Sequence, residues 1–138
     1  MSRLLTGIGC LFFFIQGIAL AQVAQKPGDF LTPEFHKTRR DELRRIMPPN
    51  SVAVFFANAI RSRANDGLYK YHQDPNFYYL TGHREPNAVL LIFKDMQSVN
   101  KAEFNETIFV WKHDALKEMY DGARLGKEGA RDQLKFKV

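Results

Sequence analysis

Cysteine is nearly absent from this chain: Cys10 is the only one, and it lies in an apolar stretch near the N-terminus. A disulfide framework and a zinc site with several thiolate ligands are therefore excluded. The four histidines form no H-x-x-x-H or H-E-x-x-H pattern, and no glycine-rich phosphate loop follows a predicted strand. Ser51, Ser62 and Ser98 lack the sharp turn that exposes a catalytic serine. The residues alone thus indicate no catalytic group and no metal ligand.

A strong excess of one charge is also lacking. The 138 residues include 20 Lys and Arg against 15 Asp and Glu, a net charge of +5, and the basic residues are scattered along the chain. Nucleic-acid binding favours a clustered basic face with stacking aromatic residues, so we predict no nucleic-acid partner. A content of 45% hydrophobic and 25% charged residues is typical of a soluble globular domain, and the length suits one domain.

One long apolar run occupies residues 4–20, after Arg3 and before a small-residue site, Ala19-Leu20-Ala21. This pattern predicts a secretory signal peptide over residues 1–21, cleaved after Ala21. The mature protein would then be periplasmic or extracellular, with no membrane association. A membrane anchor is the alternative, because the run approaches the ~20 residues that span a bilayer. Residues 22–31 have no periodicity and predict a tether.

The remaining residues, 32–138, predict an α/β domain with a mixed β-sheet flanked by helices. Thr32-Pro33 predicts the start of a helix that Pro48-Pro49 ends, and Asp114 and Gly122 predict the limits of a shorter one. Apolar and aromatic runs predict strands at 52–57, 76–80, 88–93 and 107–111.

We predict that the strands at 52–57 and 88–93 are buried, the second of them on both faces. Residues 94–105 are polar and predict a connecting segment. Asn65-Asp66-Gly67 predicts a turn, and residues 130–134 form a weak amphipathic run. The chain closes on residues 135–138 without a polar tail, so we expect the domain to be incomplete at its C-terminus.

Five segments, in order, resemble the N-terminal domain of Xaa-Pro aminopeptidases (aminopeptidase P), a domain of the creatinase and prolidase type. They are the helix with Arg39-Arg40, MPPNSVA at 47–53, RAND at 63–66, the block 69–94 with FYYLTG and EPNAVLL, and YDGARLG at 120–126. The likeness runs from about Phe35 to the end of the chain. It implies a truncated aminopeptidase P N-terminal domain over residues 32–138.

The resemblance also implies what the whole protein does. Such enzymes remove the N-terminal residue from peptides with proline in second position, using two divalent metals, usually manganese, in a separate catalytic domain. Those metal ligands would lie beyond residue 138, so no catalytic residue, metal ligand or cofactor is assigned to this chain. The implied partners are the catalytic domain, on the same or another chain, further copies in a homo-oligomer, and proline-containing peptides.

Two residues are implied by the resemblance to lie near substrate, Asp66 and Tyr120. In the family, an N-domain acidic residue and an aromatic residue, often tryptophan, approach the neighbouring subunit's active site. Asp66 would pair with the substrate's free amino group, and Tyr120 would pack against the peptide. The residues alone leave another interpretation open, in which Asp66 caps the turn before Gly67 and Tyr120 packs at a helix end.

Three functions remain open. In the first, the chain is the N-domain of an exported Xaa-Pro aminopeptidase, which would use it for oligomer assembly and for shaping the mouth of the active site. In the second, it is a stand-alone binding or scaffold module without peptidase activity, and in the third it is the N-domain of a prolidase or creatinase-like hydrolase. The FYYLTG and EPNAVLL strings favour aminopeptidase P over prolidase, and the abrupt end at Val138 favours a fragment over a stand-alone module.

Overall fold

The computed structural model of the protein describes residues 31–136. Its elements are α1 (Pro33–Ile46), β1 (Val52–Phe56), β2 (Ser62–Ala64), β3 (Gly67–Leu68), α2 (Pro75–Thr81), β4 (Val89–Val99), β5 (Ala102–Phe109), α3 (Ala115–Asp121) and α4 (Gly126–Asp132). The predicted signal peptide and all but the last residue of the predicted tether lie outside the described residues. No helix within 31–136 combines the length and apolar character that crossing a membrane requires.

Helix α1 begins and ends where its local signals predict. The Thr32 hydroxyl accepts a hydrogen bond from the Phe35 backbone N–H at 3.2 Å, and Pro33 occupies the first helical position. Arg44 and Arg45 lie in the last turn, where positive charge stabilises the carbonyl end of the helix dipole. The helix ends at Ile46, just before Pro48-Pro49, so this prediction is confirmed.

The main sheet has three antiparallel strands in the order β1-β4-β5. Leu90 pairs with Phe55 on one side and with Ile108 on the other, so all three side chains lie on one face. Helices α1 and α2 cover that face, where Leu90 and Ile92 have no exposed surface. The predicted α/β architecture of a sheet flanked by helices is confirmed.

The opposite face of the sheet is only partly covered within the described residues. Val54, Phe56 and Phe109 are 44%, 65% and 57% exposed, and Leu91 on the central strand is half-buried. The expectations of a buried strand at 52–57, and of burial on both faces at 88–93, are therefore wrong for this part of the chain. An apolar run shows that a strand is hydrophobic, but the helices that cover it decide which face is buried.

The β4–β5 hairpin extends well beyond its predicted limits. Strand β4 continues to Val99 and β5 begins at Ala102, so residues 94–105 are mostly strand and the predicted polar connection is wrong. The loop is only Asn100-Lys101, whose φ angles of 50° and 67° match the tight turn that suits twisted strands. This end of the hairpin is largely exposed, so it shows no apolar alternation in the sequence.

Residues 76–80 form most of helix α2, so the strand predicted there is wrong. The Asp74 carboxylate accepts a hydrogen bond from the Phe77 N–H at 2.8 Å, and Pro75 occupies the first helical position. Gly82 ends the helix with a φ of 71°, and its N–H donates to the Tyr78 carbonyl at 2.7 Å. These caps outweigh the strand preference of the aromatic residues between them.

A buried ion pair joins α1 to the sheet. The Arg40 guanidinium, which has no exposed surface, donates two hydrogen bonds of 3.0 Å to Glu106 and one of 2.8 Å to the Leu80 carbonyl. Burial raises the pKa of the Glu106 carboxyl, but the hydrogen bonds and charges of Arg40 and Arg44 outweigh it and hold that pKa below its usual value. Phe136 packs 4.2 Å from the same guanidinium, so the end of the described chain folds back onto the core.

Candidate functional site

A cleft lies between the β2–β3 hairpin, the Glu85-Pro86 turn and the segments that flank α3. It has a volume of about 320 Å³. We call it the Trp111 cleft, and its main lining residues are Leu68, Tyr69, Tyr71, Pro86, Trp111 and Arg124. Trp111 is the only tryptophan of the chain. The aromatic and apolar lining, with a few charged groups at fixed places, is typical of sites that bind small ligands or peptide side chains.

A short hairpin forms one wall of the cleft. Ala64 pairs with Gly67, so the connecting residues are Asn65 and Asp66, and Asn65 adopts a left-handed φ of 50°. Asparagine tolerates this conformation better than most residues, and the predicted turn is confirmed. The hairpin places Leu68 against the cleft and leaves Asp66 exposed at its tip.

Helix α3 contributes its last residue, Asp121, to the lining of the cleft, and its limits match the prediction. The Asp114 carboxylate accepts a hydrogen bond from the Lys117 N–H at 3.2 Å, and Gly122 ends the helix with a φ of 92°. Glu118 reaches back to accept from the Asp114 N–H at 2.8 Å. The helix contains no buried residue, so it presents nearly all its side chains to solvent.

Tyr120 lies in the last turn of α3 and is 81% exposed. A side chain this exposed contributes little packing, which argues against the interpretation that Tyr120 closes a helix end. It lines a second recess of about 560 Å³, which adjoins the Trp111 cleft because Trp111 and Arg124 line both. We call it the Tyr120 recess.

The two predicted site residues each lie within two positions of a residue that lines the Trp111 cleft. Leu68, two residues after Asp66, and Asp121, directly after Tyr120, both line the Trp111 cleft. Asp66 and Tyr120 themselves are exposed and are not part of the lining. Their role near substrate stays a prediction.

Among the charged residues that line the Trp111 cleft, Arg124 has the least exposed side chain, and the sequence analysis did not propose it as a site residue. Its guanidinium lies 4.4 Å from the centre of the Trp111 ring, within cation–π distance, and its side chain is 9% exposed. Sequence reasoning recorded Arg124 only as part of YDGARLG. The pairing with Trp111, 13 positions earlier, depends on how the segments around α3 pack.

Glu85 holds the loop after α3 against the rest of the fold. Its Oε1 accepts a hydrogen bond from the Leu125 backbone N–H at 2.6 Å. Burial raises the pKa of the Glu85 carboxyl, and this effect exceeds the opposing influence of that hydrogen bond and of Arg124. Glu85 is thus a positioning group for the loop that carries Arg124.

His83 is buried beside Glu85. Its backbone N–H donates to the Thr81 hydroxyl at 3.0 Å, as expected for a residue that flanks a turn. Its Nε2 atom is buried, has no hydrogen-bond partner among the residues that the structure describes, and lies 4.0 Å from Glu85 Oε2. Burial lowers the pKa of His83 to about 4, so the imidazole is neutral at physiological pH. Across residues 31–136, no three His, Cys, Asp or Glu side chains are grouped so that they could hold a metal ion.

Residues 36–138 match the sequence family described as "Aminopeptidase P, N-terminal domain". The chain is 42% identical over 115 residues to the Xaa-Pro aminopeptidase of Haemophilus influenzae, covering 83% of this chain and 24% of that protein. It is 37% identical over 105 residues to intermediate cleaving peptidase 55 of Schizosaccharomyces pombe, covering 73% and 21%.

Among solved structures, the chain is similar to aminopeptidase P from E. coli with the inhibitor Pro-Leu. The TM-score is 0.68 and the identity 32%, with 78% of this chain and 24% of that chain covered. The chain thus spans less than a quarter of the length of these relatives.

Proposed function

The chain belongs to the family of aminopeptidase P N-terminal domains, and on that premise we propose that it is the non-catalytic N-domain of an exported, manganese-dependent Xaa-Pro aminopeptidase. The observation that carries the proposal is the match over residues 36–138 to that N-domain family. In the proposed parent enzyme, a separate catalytic domain holds two divalent metals and removes the residue that precedes proline.

Within that enzyme, the N-domain contributes to oligomer assembly and shapes the mouth of the active site. The partly exposed apolar face of the sheet, with Val54, Phe56 and Phe109, supports an association role, because apolar surface of this kind favours burial against another surface. Asp66 pairs with the free amino group of the substrate, and Tyr120 packs against the peptide. Both side chains are exposed, and each lies within two positions of a residue that lines the Trp111 cleft, which supports these roles.

A stand-alone binding module is the second candidate. The Trp111 cleft favours it, because residues of this chain alone form the cleft. The N-domain of a prolidase or creatinase-like hydrolase would share the fold, but the matched relatives include the Xaa-Pro aminopeptidases of Haemophilus influenzae and Escherichia coli.

A chimeric enzyme tests the proposal. Residues 36–138 replace the matching segment of the Haemophilus influenzae Xaa-Pro aminopeptidase, and release of the N-terminal residue from an Ala-Pro-Ala peptide is measured with manganese. We expect the chimera to retain metal-dependent turnover, and the full chain by itself to show none above a blank.

The unmodified Haemophilus influenzae enzyme is the control for assay and metal loading. Turnover by the isolated chain would contradict the non-catalytic role. A chimera that folds and binds metal but cleaves nothing would favour the stand-alone module.

A further inference from the structure

Arg124 is a buried cation whose hydrogen bonds are mostly unmade. Its side chain is 9% exposed, and within residues 31–136 its Nε has no hydrogen-bond partner. The two hydrogen bonds that it makes, to the Lys112 carbonyl and to the Asp121 carboxylate, are both 3.4 Å long, near the limit for such bonds. A guanidinium has five N–H donors, and burying them without strong acceptors costs free energy. Nε therefore lacks an acceptor among the described residues, and the other two contacts are long enough for a better-placed acceptor to replace them.

The surroundings of Arg124 indicate what that acceptor is. Arg124 lines both the Trp111 cleft and the Tyr120 recess, so a ligand in either one can reach it. Planar carboxylates match a guanidinium with two parallel hydrogen bonds. Arg84, Glu85 and Asp121 also line the cleft, so its two cations are balanced by two carboxylates. This balance favours a ligand with a single negative charge over one with several, such as phosphate.

The rest of the cleft suits an apolar side chain next to that carboxylate. Tyr69, Tyr71, Pro86 and Trp111 line it, and the volume of about 320 Å³ accommodates one or two small residues. We propose that the Trp111 cleft binds the C-terminal carboxylate of a short peptide, with Arg124 as the anchor and the last, apolar side chain against the aromatic lining. The inference concerns residues of this chain alone and does not rest on peptidase activity.

Fluorescence of Trp111 provides a direct readout, because no other tryptophan contributes. The full chain is titrated with N-acetyl-alanyl-leucine and, separately, with its C-terminal amide, which differs only in the carboxylate. We expect a saturable change with the acid and at least tenfold weaker binding of the amide. Equal affinity for the two, or no saturable change with the acid, would overturn the proposal.

Two variants shift the affinity in opposite directions. Arg124→Gln removes the anchor and should weaken binding at least tenfold, whereas Asp121→Asn removes the competing carboxylate and should strengthen it severalfold. Arg131→Gln is the matched control, because Arg131 is an exposed arginine paired with Asp132. Circular dichroism and thermal melts identify any variant that fails to fold, and Arg124→Lys then tests the two-point contact with the charge retained.

Two further probes decide the source of the carboxylate. N-acetyl-glutamyl-leucine amide carries its carboxylate on a side chain, and inorganic phosphate carries a different anion. We expect both to bind at least tenfold more weakly than the free C-terminus. Equal binding of the glutamyl peptide would overturn the assignment to a chain terminus, and competition by phosphate at equal affinity would overturn the assignment to a carboxylate.

Discussion

Glu85 and Leu125 are joined by a 2.6 Å hydrogen bond between a carboxylate oxygen and a backbone N–H, across 40 positions of the chain. The bond ties the Glu85-Pro86 turn to the loop that follows α3. Because Arg124 directly precedes Leu125 and Asp121 closes α3, the same bond fixes the distance between two walls of the Trp111 cleft.

Replacing Glu85 should loosen that loop without unfolding the domain. Glu85→Gln exchanges a charge-assisted hydrogen bond for a neutral one, so we expect a loss of about 1 kcal/mol in the free energy of unfolding. Amide hydrogen exchange at Leu125 should accelerate more than exchange at Leu90 in the core. Glu103→Gln, at an exposed position of β5, is the control. Unchanged exchange at Leu125 would contradict the role assigned to Glu85.

Breaking the Arg40–Glu106 pair should be far more costly. Glu106→Gln leaves the fully buried Arg40 without a compensating charge, and we expect a loss of about 3–5 kcal/mol, measured by urea denaturation. The double variant Arg40→Leu/Glu106→Leu removes both charges and should recover much of this loss. A double variant less stable than Glu106→Gln would show that the pair is not the main source of the effect.

His83 should make the domain less stable in mild acid. Its pKa of about 4 in the folded state lies below the value of 6.5 expected in the unfolded chain, so the unfolded state binds the proton more readily. The stability is complete above pH 6.5 and falls as the pH drops toward 4, by about 3 kcal/mol. His83→Leu should flatten this part of the profile, whereas His72→Asn, at an exposed position, should not. A parent profile that is already flat between pH 6.5 and 4 would contradict the prediction.

Asp66 and Tyr120 should affect catalysis but not stability. In the chimeric enzyme, Asp66→Asn should lower kcat/KM by about tenfold or more, because charge-assisted contacts contribute roughly 1.5–3 kcal/mol. Tyr120→Ala should lower it by a similar factor, because the peptide loses the aromatic surface that it packs against. Thermal melts should stay nearly unchanged, since both side chains are exposed. A lowered melting temperature with unchanged kcat/KM would assign them a structural role instead.

Export should remove residues 1–21. The Arg3 start, the apolar run and the Ala19-Leu20-Ala21 site predict a mature N-terminus at Gln22. N-terminal sequencing of the protein from a secreting host measures this directly. A retained Met1 or a lipid on Cys10 would contradict the prediction.

Element limits were predictable where short-range signals set them. Thr32 and Pro33 start α1, and Asp114 and Gly122 bound α3, because caps act within one helical turn. The same kind of signal was present for α2, in Asp74-Pro75 and Gly82, but the aromatic residues between them favoured a strand. The extent of the β4–β5 hairpin could not be predicted, since its outer half is exposed and carries no apolar alternation.

The sequence alone was sufficient to predict an α/β domain of the aminopeptidase P N-terminal family and to single out Asp66 and Tyr120, because ordered motifs and local caps need no knowledge of packing. Only the tertiary structure decided that Arg124 lies on Trp111, that Glu85 holds the adjoining loop, and that Arg40 is buried against Glu106. These contacts join residues 13 to 66 positions apart. Local propensity acts within a few residues, whereas packing of separate elements brings such distant side chains together.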